Sequence, residues 1–322
     1  MATRPPTRPD PVIAYSVVIP VHNKQPHLAR CLDSVLAQKR NDIEVIAVDD
    51  ASTDGGRKIL ERFQSQLPLR ILQRSSPGPG GYAARNLAAA HARSDWLAFL
   101  DADDAWEPGY LAELDALREA FPEAVIIGTG YRIIDPDRAT THRFTRENHH
   151  GGRRWIGLGG FLDSYLHSGG CFQTSATAVH RQALLQAGSF PQDTARQGGD
   201  VDTWLRCMLT GAGGAWSPHA GMRYHRDAVN QVTANPENLL QPHPVALTAA
   251  AWLDRVAHPQ SRRALRRFGN KKGLKRARDA ASAGVYDPSL VMDLHRMSGI
   301  YWLHRLLLPL SNRWSRGKRL AR

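Results

Sequence analysis

Three carboxylates, Asp101, Asp103 and Asp104, directly follow the apolar run Trp96-Leu-Ala-Phe-Leu100. Negative charge crowded at the end of a strand repels itself unless a cation compensates it. Mg2+ or Mn2+ prefers oxygen ligands and also takes phosphate oxygens, so the chemistry indicated is that of a hard divalent ion. Asp103, supported by Asp101, is the candidate metal ligand. Asp104 has Glu107 three residues on and is assigned to a helix N-cap and capping box. Asp49-Asp50 ends a second apolar run, where a carboxylate can accept a hydrogen bond from a ligand N–H. Alternatively both, with Ser52, Thr53 and Asp54, make the turn and cap the next helix. Pro77-Gly-Pro-Gly-Gly81 has the freedom to bring backbone against a phosphate, although Gly/Pro clusters are more often plain turns. Neither Gly-x-x-x-x-Gly-Lys-Ser/Thr nor Gly-x-Gly-x-x-Gly follows the first strand, which removes support from nucleotide triphosphatase and NAD-dehydrogenase readings. His149-His150 has no second pair at zinc spacing and is assigned nothing.

The elements that must position these residues follow from hydrophobic periodicity. Residues 15–21 form a β-branched apolar run, read as a buried strand, and 26–38 carries Leu28, Cys31, Leu32, Val35 and Leu36 at helical spacing. The alternation continues: strands at 43–48, 69–73, 96–100 and 125–130, and helices at 56–66, 82–92 and 108–121. Strands alternating with helices give an α/β fold with a mainly parallel, doubly wound sheet, because each right-handed crossover covers a face of that sheet. Ligands then bind beyond the carboxyl ends of the strands, in the loops after Val21, Val48, Gln73 and Leu100. Residues 132–168 read as a long, Gly-rich, irregular segment facing the substrate. Order returns with a strand at 175–180, a helix at 181–187 and a helix at 201–209 begun by Asp200.

Four linked motifs carry a resemblance: Ser16-Val-Val-Ile-Pro-Val-His-Asn23, Val48-Asp-Asp-Ala-Ser-Thr-Asp54, Ala84-Arg-Asn86 and Phe99-Leu-Asp-Ala-Asp-Asp104. In this order and spacing, over about residues 15–235, the chain resembles glycosyltransferase family 2, the inverting transferases of GT-A fold. The resemblance implies a nucleotide-sugar site and a Rossmann-like GT-A architecture. Asp50 would hydrogen-bond the nucleobase, with Pro20 and His22 beside it, and Arg85 would lie near the nucleotide or its diphosphate. Asp103, the last acidic residue of the family's Asp-x-Asp motif, would bind Mn2+ or Mg2+ bridging the diphosphate, with Asp101 in support. Gly188-Ser-Phe-Pro191 and Gly199-Asp-Val-Asp-Thr-Trp-Leu-Arg206 are similar to the acceptor-side motif, which makes Asp200 the catalytic base. Inverting transfer is one in-line displacement and requires such a base apart from the metal ligands, whereas the bland alternative for Asp200 is helix N-capping. Two positions depart from the family pattern: Gly199 stands where Glu is common, and His22 where an aromatic residue usually stacks on the base. His225 resembles a late histidine that some relatives place near the metal, but is read as structural.

The 322 residues carry 42 Lys and Arg against 30 Asp and Glu, a net charge of +12, at 42% hydrophobic content. Collagen-like and wholly disordered classes are excluded, and the length suits one large domain with an appendage. The charge is uneven: residues 241–322 hold 17 basic and 4 acidic side chains, while the rest is near neutral. The expected organisation is a disordered lead-in over 1–14, a GT-A domain over 15–240 (nucleotide-sugar half 15–130, acceptor half 131–240) and a basic helical extension over 241–322. That extension, with an apolar stripe of Leu290, Leu294, Met297 and Tyr301, suits an anionic membrane surface. Nucleic acid is the competing polyanion and is not the expected partner. The Arg- and Pro-rich start lacks an apolar signal core, and the most apolar late stretch, 300–310, is broken by His304, Arg305 and Pro309, so no membrane span is expected. Cys31, Cys171 and Cys207 fit neither a disulfide framework nor a zinc site, which points to a reducing, cytoplasmic setting, and the basic extension adds the expectation of a peripheral place at the inner membrane face.

The reading is a metal-dependent inverting transferase moving a sugar from a nucleotide donor, expected to be UDP-linked, to a hydroxyl of a glycan or lipid-linked acceptor. Bacterial-type surface polysaccharide or glycolipid synthesis is the expected setting. A sugar-phosphate nucleotidyltransferase would need a Gly-rich loop where His22-Asn23-Lys24 stands. The non-enzymatic rival is a basic protein that binds nucleic acid or a membrane surface through a non-catalytic GT-A-like domain.

Overall fold

The computed structural model describes residues 12–211, 213–228, 236–285 and 287–291. The first half of the chain alternates strand and helix: β1 (Tyr15–Val21), α1 (Gln25–Leu36), β2 (Ile43–Asp50), α2 (Gly56–Phe63), β3 (Leu69–Arg74), α3 (Tyr82–His91) and β4 (Trp96–Phe99). These four strands pair in parallel in the order β3-β2-β1-β4. Alternation within each strand explains helices on both faces. Val18, Ile46 and Val48 pack with α3, whereas Val17, Ile19 and Val45 pack with α1 and α2 through Leu28, Leu32 and Leu60.

The second half is mixed. β5 (Ala105–Trp106), α4 (Tyr110–Ala120), β6 (Ile126–Asp135), β7 (Arg138–Thr141), α5 (Arg143–Asn148), β8 (Arg154–Ile156) and α6 (Leu158–His167) come first. They are followed by β9 (Thr177–His180), α7 (Arg181–Gln186), α8 (Gly199–Leu209), β10 (Gly214–His225), α9 (Pro244–Trp252) and α10 (Pro259–Ser282). β9 enters antiparallel between β4 and β6, and β10 runs parallel to β6 with register shifts around Pro218. The sheet continues as β9-β6-β10-β5, with β7 and β8 added at β6 and β10.

Two expectations are corrected here. Residues 132–168 are not irregular: they hold the end of β6, then β7, α5, β8 and α6, whose sparse apolar anchors Phe144, Ile156, Phe161, Leu162 and Tyr165 all reach the core. Between these anchors, runs of Arg, His and Gly hide the periodicity. The helix assigned to 108–121 begins only at Tyr110, with Gly109 at its N-cap at φ +86°, so Asp104 does not cap it. Of the expected lead-in, residues 1–11 lie outside the described residues, as do Leu294, Met297 and Tyr301.

α9 and α10 pack on each other and share the core of the preceding helices. Val245, Ala249, Leu265 and Phe268 join Phe161, Trp204 and Leu205, and Phe268 meets the Tyr165 ring at 5.4 Å. All three cysteines are free and buried. Among the described residues no helix is long and apolar enough to cross a membrane. Because the Phe268 side chain is fully buried, Phe268→Ala is expected to destabilise the whole protein by about 3–5 kcal/mol. A single urea transition at a lower midpoint is the expected outcome; an unchanged midpoint would show α10 energetically separate.

Candidate active site

A cleft of about 300 Å3 opens at the carboxyl ends of β1, β2 and β4, and Pro20, His22, Asp50, Arg85, Asp101, Asp103 and Asp200 all line it. Two loops form one rim. Asn23, at φ +51°, accepts the Thr53 N–H on Oδ1 at 2.8 Å and donates its own N–H to Ser52 Oγ at 3.1 Å, stitching the loop after β1 to the loop after β2. The two aspartates ending β2 divide the alternatives between them. Asp49 accepts the Ser52 N–H at 2.9 Å and makes the turn. Asp50 faces the cleft, accepting from the Arg74 guanidinium and from the Gly78 N–H at 3.0 Å. His22 donates from Nδ1 to the Asp50 carbonyl at 2.7 Å, which fixes its tautomer and leaves Nε2 as the acceptor.

The carboxylates after β4 have distinct partners. Asp101 pairs with the buried guanidinium of Arg85, which also donates to the Gly80 carbonyl at 2.8 Å. Burial pulls the Arg85 guanidinium down, but the charge of Asp101 and its hydrogen bond outweigh it, and the net direction is up. Asp103 Oδ2 lies 2.7 Å from Lys24 Nζ, and its carbonyl accepts from Arg30 at 2.8 Å. Asp104 turns away from solvent, accepting from the Ser175 hydroxyl at 2.6 Å and the His225 N–H at 3.1 Å. Burial, then the charges of Asp103 and Asp101, push its carboxyl well above the ordinary 3.8. His225 lines the same cleft; burial and then Arg30 bring its imidazole down to about 4, and its buried Nε2 has no hydrogen-bond partner among the described residues.

The other wall comes from residues 173–174 and the start of α8. Gly198, at φ +81°, is the N-cap of α8, so Asp200 stands in the first turn and is not the cap. Its Oδ2 accepts from the Thr174 hydroxyl at 3.1 Å. Asp202 faces elsewhere, buried against Arg206 at 2.8 Å and Thr248 at 2.6 Å. Gly199 donates its N–H to Tyr82 Oη at 2.8 Å, and a Cβ at 199 would lie 2.7 Å from Pro191 Cγ and 2.8 Å from Tyr82 Cζ. Glycine is therefore required where a larger residue is common. Asn86 fastens the two halves together, donating to the Phe190 carbonyl at 2.9 Å and accepting the Phe190 N–H at 3.0 Å.

Lys24, Tyr82, Thr174 and Tyr224 line the cleft without having been assigned roles from sequence, and His225, read there as structural, lines it too. Lys24 stood within an inspected loop, whereas Tyr224 and His225 arrive on β10, which no periodicity announced. No residue of 132–168 lines the cleft. Among the described residues no three His, Cys, Asp or Glu side chains are arranged around one point as ligands.

Glycosyl transferase family 2 matches this chain over residues 16–186. The chain belongs to that family. An uncharacterized glycosyltransferase of Nostoc sp. (strain PCC 7120) is 38% identical over 129 residues, covering 39% of this chain and 38% of the relative. Glycosyltransferase GlyG of Streptococcus pneumoniae is 30% identical over 123 residues, 38% of this chain and 40% of its own. The poly(ribitol-phosphate) beta-N-acetylglucosaminyltransferase TarS of Staphylococcus aureus is 33% identical over 97 residues, 29% of this chain and 17% of its own. The matches thus span less than half the length of these curated relatives. In three dimensions, S. aureus TarS 1–349 in complex with UDP-GlcNAc superposes with a TM-score of 0.68 at 17% identity, over 93% of this chain and 87% of that one. The mannosyltransferase PcManGT from Pyrobaculum calidifontis, in complex with GDP-Man and Mn2+, gives 0.58 at 18% identity over 97% and 91%. These likenesses show the α/β fold expected of a family 2 glycosyltransferase.

Asp104 offers a test of this electrostatic arrangement. A carboxyl whose folded pKa is raised contributes stability that is complete below its unfolded value, about 4, and is lost as pH rises through the folded value. In EDTA-treated protein, the stability of wild type relative to Asp104→Asn is therefore expected to fall between pH 4 and 8 in urea titrations. A pH-independent difference would refute the buried, raised carboxyl.

Proposed function

We propose that the protein transfers a glycosyl group, with inversion, from a nucleoside-diphosphate sugar of the UDP class to a hydroxyl of a glycan or lipid-linked acceptor, at the cytoplasmic membrane face. The observation that carries this reading is convergence. Asp50 from β2, Arg85 from α3, Asp101 and Asp103 from the turn after β4, and Asp200 from α8 reach one cleft although the sequence scatters them over 151 positions. Support for the donor comes from the relatives, since TarS is seen with UDP-GlcNAc. Support for surface-polymer chemistry comes from TarS and from the putative teichuronic acid biosynthesis glycosyltransferase TuaG of Bacillus subtilis.

Asp50 accepts from the N–H of the base beside His22 and Pro20, while Arg85 and Lys24 face the diphosphate. The acceptor hydroxyl gives its proton to Asp200 as its oxygen bonds to the anomeric carbon. The anomeric carbon–oxygen bond to the diphosphate breaks, and its electron pair leaves with the nucleoside diphosphate. A divalent cation suits this cleft: carboxylate oxygens face it, and the orphaned His225 Nε2 belongs to the same wall. Asp103 and Asp101 would hold it, with His225 on the adjoining wall, and when bound it would supply charge stabilisation for the departing diphosphate. That PcManGT is seen with Mn2+ supports the use of a divalent metal.

The deciding experiment is nucleoside-diphosphate release from a panel of nucleotide sugars with Mn2+, with and without EDTA. Release from a UDP-sugar, abolished by EDTA and by Asp103→Ala, is expected; Asp200→Asn is expected to abolish release while UDP binding survives. EDTA-insensitive turnover, or unchanged turnover in either variant, would overturn the corresponding role.

The extension carries a second part of the reading. On α10, Lys272 and Arg276 turn inward, whereas Arg262, Arg263, Arg267, Lys271, Lys275 and Arg278 are exposed. This outward basic face suits an anionic lipid surface, each cation near it contributing about 1 kcal/mol. The protein is expected to cosediment with vesicles containing phosphatidylglycerol and not with neutral phosphatidylcholine vesicles, with loss at high salt. Retention on DNA in preference to those vesicles would favour the nucleic-acid alternative.

A further inference from the structure

The family match ends at residue 186, so neither Asp200 nor α10 falls within it. Yet α10 reaches the approach to Asp200. Arg276 is 3% exposed and donates to three main-chain carbonyls: Asn238 at 2.7 Å, Gln241 at 3.1 Å and Gln197 at 3.0 Å. No hydrogen bond of Arg276 to a carboxylate occurs among the described residues. A buried guanidinium satisfied by carbonyls alone is an expensive way to stabilise a fold, and an apolar side chain of similar volume serves better where only packing is needed.

What this arrangement gains is position. Gln197, Gly198 and Gly199 are the three residues leading into Asp200, and each is held from a different element. Arg276 of α10 holds the Gln197 carbonyl. His243, which begins α9, packs so closely on Gly198 that a Cβ there would lie 2.6 Å from its Nε2. Tyr82 of α3 accepts the Gly199 N–H. The body of α8 is anchored independently, through Trp204, Leu205 and Met208 in the core and through Arg206 on the Ala187 and Ser189 carbonyls. Helix α8 therefore folds without Arg276, and what Arg276 adds is the placement of its first turn, where Asp200 meets the cleft.

We propose that Arg276 is a positioning residue for the proton-abstracting carboxylate, so that the helix following the GT-A core completes the acceptor side of the active site by clasping the turn that carries Asp200. This rests on the reading of Asp200 as the base. Misplacing a reacting group by about 1 Å costs up to ~100-fold in rate while leaving remote binding intact. The expected signature is thus a fall in kcat without a change in donor affinity.

The test uses the full chain, with UDP release from the UDP-sugar that wild type turns over best, water serving as acceptor, and UDP binding measured by calorimetry. Arg276→Met is expected to lower kcat about 10- to 100-fold with the UDP Kd within about twofold of wild type. Arg276→Lys, which keeps a cation but offers fewer, differently directed donors, is expected to recover part of that loss. Backbone amides of 198–200 are expected to exchange faster in both variants, while those of 204–208 keep their protection. If Arg276→Met does not fold, Arg276→Lys decides by the same readouts. A folded variant with unchanged kcat, or one whose kcat and UDP affinity fall together, overturns the clasp even where Asp200→Asn abolishes turnover. Failure of wild type to turn over any nucleotide sugar, or full turnover by Asp200→Asn, overturns the base assignment and the clasp with it.

Discussion

The cleft is organised around mutual repulsion among three carboxylates that β4 delivers to one end of the sheet. Each is settled differently. Asp101 is neutralised by Arg85, Asp103 by Lys24, and Asp104 is driven inward to a hydroxyl and a backbone N–H. Because Arg85 is buried and Ser175 also receives the Asp101 N–H at 3.1 Å, the turn is braced from α3 on one side and from the approach to β9 on the other. Charge pairing and the burial of Leu100 and Ala102 together set the position of that turn, and the elements that brace it also bring Tyr82 and Thr174 to the cleft.

Much of this was legible in the sequence because the first half of the chain obeys local rules. Strands β1 to β4 are short apolar runs, and α1 to α3 show clear helical spacing, so the loops at their carboxyl ends were found before the fold was known. The seven candidate residues share one cleft because those loops do. Composition could not show which of Asp49 and Asp50 faces the cleft, since that depends on which of them accepts the Ser52 N–H in the turn. Asp104 misled by local pattern: a residue that reads as a cap is claimed instead by Ser175 and His225, 71 and 121 positions away.

The second half was less legible for a physical reason. β10 contains Ser217, Pro218, His219 and Gly221 within its span, and its register shifts there, so it shows neither alternation nor a continuous apolar run. It is recognisable as a strand only from its long-range pairing with β6, β5 and β8. The basic helix α10 posed the opposite difficulty. Its charge was evident, but charge alone did not separate the cations that face solvent from Lys272, whose ammonium lies 5.5 Å from the centres of the Tyr165 and Phe268 rings.

The contact between Tyr82 and Gly199 has an evolutionary consequence. The phenol, together with Pro191, fills the space that a side chain at 199 would need, and its oxygen takes the hydrogen bond of the helix-leading amide. The two sites are thus sterically exclusive, and their histories must be joined. A descendant that acquires an acidic side chain at 199 must make room both at the ring of position 82 and at Pro191, so in an alignment of close relatives these three positions should change together.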